Sequence, residues 1–314
     1  MKLGLGTAAL GRPQYINVRT ENCDNSNLSE FKKQSFNVLE EAYNLGIRYF
    51  DTAPGYGLAE ELLLEWLQTK KDNSIEVATK WGYTYTANFD TNATVHEIKE
   101  HSLAKLKEQW TFSKQLLPYL KVYQIHSATL ETGVLENTQV LEHLAFLKKE
   151  HNLKIGLTTT GTNQVEVIRK ALNILVDNES IFDVFQITYN FLDQSLQEIS
   201  EELINKNKSI VIKEALANGR FFKNENYPNY NKMYTTLENL AKKHNVGVDA
   251  ISLKYCEQTI PGSIVLSGAS NSNQLKENLK INTFSLSNNE IEILNALKIS
   301  PEAYWKERKQ LTWN

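Results

Sequence analysis

Short apolar runs alternate with amphipathic segments along this chain, and this alternation is the feature that most restricts its fold. In the segment that follows the fifth run, Val165, Ile168, Leu172 and Leu175 have the spacing of one helical face. Eight runs are typical of buried strands: Leu3–Ala8, Arg48–Phe50, Glu76–Thr79, Lys121–Ile125, Lys154–Leu157, Val184–Ile187, Ile210–Ile212 and Ile264–Leu266. Eight strands alternating with helices favour a closed (β/α)8 TIM barrel, an α/β fold, over an open parallel sheet.

The length and composition fit one such barrel. A barrel of this kind typically needs about 250 residues and often carries insertions, and this chain has 314 residues, 41% of them hydrophobic and 23% charged. No Pro-, Gly- or Ser-rich linker divides the sequence. We therefore predict a single barrel domain over residues 1–314, with a C-terminal segment of about residues 285–314 packed on the barrel.

Charge, cysteine usage and hydropathy exclude several classes of protein. The formal net charge is -3 and basic residues cluster no further than pairs such as Lys148 and Lys149, so we expect no nucleic-acid partner. Cys23 and Cys256 lie far apart without a metal-binding or disulfide pattern. No apolar run approaches the roughly 20 residues needed to span a bilayer. We expect a cytoplasmic protein without membrane partners.

Four polar residues follow successive predicted strands. Asp51 comes directly after the second strand, Lys80 after the third and His126 after the fourth, and Tyr56 occupies the loop after the second. Active sites of such barrels lie at the carboxyl ends of the strands, so these side chains should face one mouth. Taken singly, each has a structural explanation, such as an Asp that binds loop amides or a buried, hydrogen-bonded His.

Together, these four residues can form an acid catalyst. The reference pKa of a Tyr hydroxyl is near 10, and a nearby ammonium group favours the ionised form and lowers that pKa. Lys80 can supply this charge, and Asp51 can hold Lys80 and offset its burial. His126 can then position and polarise a carbonyl oxygen.

Longer motifs add a family resemblance that covers nearly the whole chain. The segments FDTAPGYG, VATKWG, YQIHSA, FQITYNFLDQS and SGASNSNQLKENL resemble those of the aldo/keto reductase superfamily. The resemblance implies that a nicotinamide cofactor passes hydride to a carbonyl carbon while Tyr56 protonates the oxygen as general acid. It also implies a catalytic tetrad of Asp51, Tyr56, Lys80 and His126.

The same resemblance suggests where the cofactor binds. Gln186 matches the family's amide contact to the nicotinamide, and Glu277 and Asn278 match its adenine contacts. The residues expected to contact the cofactor are Gly6, Thr7, Thr158, Gln186, Lys213, Gly268, Ser270, Gln274, Glu277 and Asn278.

Some of these positions depart from the family pattern. Thr158 stands where many members have Ser, and Lys213 where many have an aromatic residue that stacks on the nicotinamide. Gln274 stands where many have an Arg that grips the phosphate of NADP, and a neutral Gln cannot reproduce that charge. Family habit nevertheless favours NADP(H) over NAD(H).

The family resemblance implies an NAD(P)-dependent oxidoreductase that interconverts a small carbonyl compound (an aldehyde, ketone or aldose) and an alcohol. An alternative from the same resemblance is a cofactor-binding regulatory or accessory subunit with little turnover. A glycosidase would require paired carboxylates, and a metal-dependent hydrolase a cluster of His and carboxylates. Asp51 is the one carboxylate that we find at a strand end, so we expect no metal.

Two long loops carry aromatic residues that could accept the apolar surface of a substrate, or simply pack on neighbouring loops. They are Trp81, Tyr83, Tyr85 and Phe89 after the third strand, and Phe221, Phe222, Tyr227 and Tyr230 after the seventh. The long polar connection from Arg12 to Glu30 suggests a lid over the cofactor or substrate.

Overall fold

Eight parallel strands close into a barrel, as the alternation predicts. The computed structural model describes residues 2–12, 28–90 and 93–313. The barrel strands are β1 (Lys2–Gly6), β2 (Tyr49–Asp51), β3 (Glu76–Trp81), β4 (Leu120–Ala128), β5 (Lys154–Thr159), β6 (Phe182–Thr188), β7 (Ser209–Lys213) and β8 (Ile264–Ser267). Each strand pairs with its neighbours in chain order, and β1 pairs with β8 to close the ring.

Helices surround the barrel. They are α1 (Ala8–Gly11), α2 (Leu28–Asn44), α3 (Ala59–Leu67), α4 (Leu103–Ser113), α5 (Thr138–His151), α6 (Gln164–Leu172), α7 (Ser200–Asn205), α8 (Asn231–His244), α9 (Val248–Thr259), α10 (Ser272–Leu279), α11 (Asn288–Asn295) and α12 (Pro301–Gln310). In the loop after β3, residues Tyr83–Tyr85 and Glu97–Lys99 form an antiparallel hairpin. No helix in the described ranges is long and apolar enough to cross a membrane.

Several element boundaries differ from the sequence expectation, and Asp51, Lys80 and His126 lie within β2, β3 and β4 instead of directly after them. The first strand ends at Gly6, and Ala8 begins the short helix α1. The amide of Thr7 instead donates to the carbonyl of Asp51, at 2.9 Å. The predicted helical face also ends early: Val165, Ile168 and Leu172 are buried in α6, whereas Leu175 lies beyond the helix and is 58% exposed.

The inside of the barrel changes character along its axis. Successive strand residues alternate between the helices and the barrel interior. The interior residues near the amino ends of the strands form an apolar cluster of Tyr49, Ala78, Val122, Val184 and Val211. Two residues further along the same strands, the interior positions of β2, β3, β4 and β6 are polar. A layer of polar residues at the mouth therefore lies directly on this apolar cluster, which we call the apolar floor.

The C-terminal segment contacts the loops after β6 and β7. The amide of Ile299 donates to the carbonyl of Leu192 at 3.1 Å, and the Trp305 indole donates to Asp193 at 3.2 Å. That one domain spans residues 1–314 stays a prediction. The central part of the suggested lid, residues 13–27, lies outside the described residues.

Gly11, at the end of α1, packs directly on the turn that carries Tyr56. A Cβ atom at Gly11 would lie 1.9 Å from the Tyr56 carbonyl oxygen and 2.5 Å from Ala59 Cβ. The Leu58 amide donates to the Gly11 carbonyl at 2.8 Å, so the two backbones touch. A side chain at position 11 would push the turn away from α1.

We predict that Gly11→Ala lowers the free energy of unfolding by about 1 to 3 kcal/mol, because the added methyl overpacks a backbone contact. Urea unfolding followed by circular dichroism measures the change. The matched control is Gly268→Ala, whose Cβ meets nothing within 4 Å among the described residues. Equal losses of stability in the two variants would contradict this prediction.

Candidate active site

The structure brings the four predicted mouth residues together. Asp51 ends β2, Lys80 lies near the end of β3 and His126 near the end of β4. Tyr56 ends the short 3-10 turn Pro54–Tyr56 that follows β2. The Lys80 ammonium pairs with Asp51 and lies over the Tyr56 ring, and the Tyr56 and His126 rings meet in a T-shaped contact.

Lys80 and Asp51 form a buried ion pair. Lys80 is fully buried, and its Nζ lies 2.5 Å from Asp51 Oδ2 and donates to the carbonyl of Thr52 at 2.9 Å. Gln186 Nε2 donates to Asp51 Oδ1 at 2.7 Å, and Gln124 Nε2 approaches the same oxygen at 3.4 Å. These hydrogen bonds offset part of the desolvation penalty of the two charges.

The Tyr56 phenol lies against this ion pair. Lys80 Nζ is 4.8 Å from the centroid of the Tyr56 ring. From the sequence we expect Lys80 to lower the pKa of Tyr56. In the structure, removal from water raises the pKa of Tyr56 well above its usual value of 10, the Asp51 charge adds to this, and Arg12 opposes it. Tyr56 is therefore protonated at neutral pH.

His126 completes the group as a neutral imidazole. Its ring centroid is 5.5 Å from that of Tyr56, with the two planes at 89°, and 4.6 Å from that of Tyr83. Burial lowers the pKa of His126 well below 6.5, and the positive charges of Lys80 and Lys213 lower it further. A neutral imidazole can donate one hydrogen bond without adding charge to the site.

The other expected rim residues lie at the ends of neighbouring strands. Thr7 Oγ1 donates to the Asp51 carbonyl at 3.1 Å, beside Gly6 at the end of β1. The Thr158 hydroxyl accepts from the Ser127 amide at 2.7 Å. Lys213 Nζ, at the end of β7, donates to Thr188 Oγ1 at 2.8 Å. With Gln186, these residues lie at the same end of the barrel as the tetrad.

The remaining expected contacts form a second group at α10. A pocket of about 370 Å³ lies at its N-terminus and is lined by residues 271–274. Gln274 Oε1 accepts from both the amide and the hydroxyl of Ser270, at 2.9 and 3.2 Å. Gly268 is exposed in the loop before them, and Glu277 pairs with Lys280 at 2.7 Å.

Asn278 is placed differently from the other residues of this group. Its side chain is buried, accepts from Ser267 Oγ at 2.6 Å and donates to Asp249 Oδ2 at 2.5 Å. Both ends of the amide are thus used within the protein.

An acidic residue lies beside the same helix. Glu41 of α2 accepts a hydrogen bond from the Ser272 hydroxyl and pairs with Lys276 at 2.9 Å. The potential at the N-terminus of α10 therefore combines helix amides, one cation and one carboxylate.

The aromatic residues of the two long loops divide between the site and the core. Tyr83 packs on His126 and borders the mouth. Trp81 is fully buried, and Phe221 is buried and stacks on Phe191 with ring centroids 3.9 Å apart. Tyr230 is also buried and donates a hydrogen bond to Glu307 of α12. In the loop after β7, Phe221 and Tyr230 therefore serve packing, whereas Phe222 is exposed and Tyr227 is half-buried.

Sequence reasoning missed three residues near the site. Gln124 could have been found, because it lies two residues before His126 on the same strand and so faces the same side. Nothing in the sequence around Arg12 or Glu60 indicates that either residue lies near the site, because neither belongs to a barrel strand. Glu60 of α3 is buried behind β3, accepts from Thr79 Oγ1 at 2.5 Å, and burial raises its pKa to about 7. Among the described residues, no group of three or more His, Cys, Asp or Glu could hold a metal ion.

Comparison with known proteins identifies the class that this barrel and site define. The model of the Aldo/keto reductase family matches residues 2–299, and the chain belongs to that family. The fold is similar to that of the aldo-keto reductase AKR11C1 from Bacillus halodurans, with a TM-score of 0.71 and 22% identity over 95% of this chain and 92% of that one.

Two curated relatives are oxidoreductases. The uncharacterized oxidoreductase YqkF of Bacillus subtilis (strain 168) is 26% identical over 287 residues, which cover 84% of this chain and 87% of the relative. The NADH-specific methylglyoxal reductase of Escherichia coli (strain K12) is 23% identical over 317 residues, 91% of each chain. Family and relatives together support an oxidoreductase enzyme.

The neutral state of His126 makes the stability of the fold depend on pH. Because the pKa of His126 is lower in the folded chain than in the unfolded chain, the unfolded chain binds more protons below pH 6.5, and the free energy of unfolding falls as the pH drops. We predict that His126→Asn removes a slope of up to about 1.4 kcal/mol per pH unit in this range.

Urea unfolding at several pH values between 5 and 8 tests this prediction. At pH 8 His126 is neutral in both states, so the difference between variant and wild type there gives the effect of the substitution itself. Parallel pH profiles for the two proteins would rule out the assigned neutral state.

Proposed function

We propose that this chain is a nicotinamide-dependent aldo/keto reductase that interconverts a small carbonyl compound and an alcohol, with Tyr56 as the general acid and base. The observation that carries the proposal is the buried Lys80 ammonium, paired with Asp51 and 4.8 Å from the Tyr56 ring centroid. We also propose that the whole chain works as one barrel domain.

The residues present fit a nicotinamide dinucleotide at two points. The pocket at the N-terminus of α10 offers helix amides that favour phosphate groups. At the barrel mouth, the rim residues Thr158, Gln186 and Lys213 provide a hydroxyl, an amide and an ammonium group. When bound, such a cofactor supplies the hydride that the carbonyl carbon takes up.

The chain's own residues then manage the proton. Burial keeps the proton on Tyr56 until negative charge develops on the substrate oxygen. As the phenol gives up its proton, the resulting phenolate is stabilised by the Lys80 ammonium, which Asp51 holds in place. The neutral His126 orients the carbonyl oxygen by a hydrogen bond. In the oxidation direction, the ionised minor form of Tyr56 accepts the proton of the alcohol.

The matched test of this role is Tyr56→Phe beside Tyr119→Phe. We expect Tyr56→Phe to lower turnover by about 10² to 10⁴-fold, because it removes the proton donor, and to leave cofactor affinity unchanged. Tyr119 donates to the carbonyl of Lys70, just before the start of β4, so its variant should turn over like the wild type.

Nicotinamide absorbance measures the turnover with aldehydes, ketones and sugars, including methylglyoxal and L-galactose, which the names of two relatives contain. Wild-type turnover in Tyr56→Phe would contradict the role of Tyr56. Cofactor binding by the wild type without turnover of any compound would favour the second candidate, an accessory subunit.

For the cofactor we propose NADP(H), on the strength of the family resemblance. NAD(H) is the second candidate, because Gln274 is neutral and engaged with Ser270, and Glu41 places a carboxylate beside α10. The relative from Escherichia coli is also named NADH-specific.

We predict that Gln274→Arg raises the affinity for NADPH relative to NADH by about tenfold, since a guanidinium binds phosphate through charged, bidentate hydrogen bonds. Fluorescence titration of both cofactors measures the ratio. Gln274→Leu, which loses the Ser270 contacts but adds no charge, should leave the ratio as in the wild type. An unchanged ratio in Gln274→Arg would place the cofactor phosphate elsewhere, and comparable efficiency of the wild type with NADH would refute the preference for NADPH.

A further inference from the structure

We infer that Arg12 is a positioning residue for Tyr56, which holds the turn that carries the phenol and adds a second positive charge beside it. This inference rests on the proposed role of Tyr56 as proton donor. Arg12 follows α1 directly and is buried, with its guanidinium directed towards the barrel mouth and not into solvent.

The guanidinium joins three separate segments of the chain. Arg12 Nη1 donates to the carbonyl of Gly55 at 2.8 Å, and Gly55 immediately precedes Tyr56 in the turn. The same nitrogen lies 2.9 Å from Glu97 Oε2, in the hairpin after β3. Since Gly11 packs on the backbone of the same turn, residues 11 and 12 together restrict where Tyr56 can lie.

Aromatic rings surround the same group. Arg12 Cζ is 5.6 Å from the ring centroid of Tyr56, 5.8 Å from that of Tyr85 and 4.7 Å from that of Trp313. Trp313 in turn stacks on His96 of the hairpin loop, with centroids 4.3 Å apart and planes at 3°. A planar guanidinium suits such a site better than an ammonium group, because it can stack and donate at once.

The charge of Arg12 acts on Tyr56 against several carboxylates. Asp51, Glu97 and Glu214 each raise the pKa of Tyr56, after the larger effect of burial, and Arg12 lowers it. The other groups that face the ring are the Lys80 ammonium and the neutral His126. Without Arg12, Glu97 would lose its partner and the phenol would lose a nearby cation. Ionisation of Tyr56 would then become harder.

A purely structural role for Arg12 predicts something else. Its loss would then lower stability or turnover but would leave the pH at which Tyr56 ionises unchanged. The pH dependence of turnover therefore distinguishes the inferred role of Arg12 from a purely structural one, whatever the absolute rate.

The experiment compares Arg12→Gln and Arg12→Lys with the wild type, as full-length protein with saturating nicotinamide cofactor. The readout is the midpoint of the pH profile of kcat in both reaction directions. We expect Arg12→Gln to lower kcat and to move the midpoint up by about one pH unit, a tenfold change in ionisation constant. Arg12→Lys keeps the positive charge but loses the planar guanidinium with its several donors. Its kcat should therefore fall about tenfold, while the midpoint stays within about 0.3 pH unit of the wild type.

Arg48→Gln is the matched control. Arg48 pairs with Asp72 just before the amino end of β2, so both kcat and the midpoint should stay as in the wild type. Should Arg12→Gln fail to fold, Arg12→Met takes its place, because it is also neutral and keeps an apolar stem of similar length: a midpoint that moves up supports the inference, and an unchanged midpoint overturns it.

Tyr56→Phe, measured in parallel, separates this inference from the proposed function. Loss of turnover in Tyr56→Phe together with an unchanged midpoint in Arg12→Gln would overturn the role of Arg12 alone. Full turnover in Tyr56→Phe would instead remove the basis of both.

Discussion

The buried ion pair between Lys80 and Asp51 is the constraint on which the site depends. An ammonium group that is fully out of water is unfavourable unless an anion and further acceptors surround it. The Asp51 carboxylate meets this need on one oxygen and receives the Gln186 amide on the other. Polar residues must therefore gather around β2, β3 and β6 at one level of the barrel. The Tyr56 phenol and the His126 imidazole lie on top of this layer and take their electrostatic properties from it.

The alternation of side chains along each strand separates stability from chemistry. Tyr49 and Asp51 face the same interior, two residues apart, as do Ala78 with Lys80 and Val184 with Gln186. The lower member of each pair packs in the apolar floor, and the upper member serves the site. Substitutions in the apolar floor should thus mainly change the stability of the fold. Substitutions of the polar residues two positions further along each strand should change the charge and hydrogen bonding of the site. Glu60 does not follow this division, because it is an acidic residue that lies outside the barrel interior. It belongs to α3, on the outer side of β3, and burial raises its pKa.

The sequence was enough to predict the barrel and three of the four tetrad positions from first principles, since Asp51, Lys80 and His126 end apolar runs. Tyr56 lies in the loop after the second strand and can be interpreted as an acid from its predicted neighbours, whereas the cofactor required the family resemblance. Arg12 could not be found, because its partners Gly55, Glu97 and Trp313 are remote in sequence and meet only when the barrel is closed. The direction in which the pKa of Tyr56 moves was also beyond reach. The sequence motif shows that a lysine is near Tyr56, but it does not show how deeply Tyr56 is buried. Burial has the largest effect on the pKa of Tyr56, and it is a property of the folded chain.

Closure of the ring joins segments that are far apart in the order of synthesis. Residues 2–5 of β1 pair with residues 264–267 of β8. While a ribosome is still making the chain, β1 must wait for this partner with one edge uncovered, and exposed strand edges invite pairing with other chains. The final seam of the barrel can form only once Ser267 has left the exit tunnel. Until then, the uncovered edge of β1 is available for pairing with other chains.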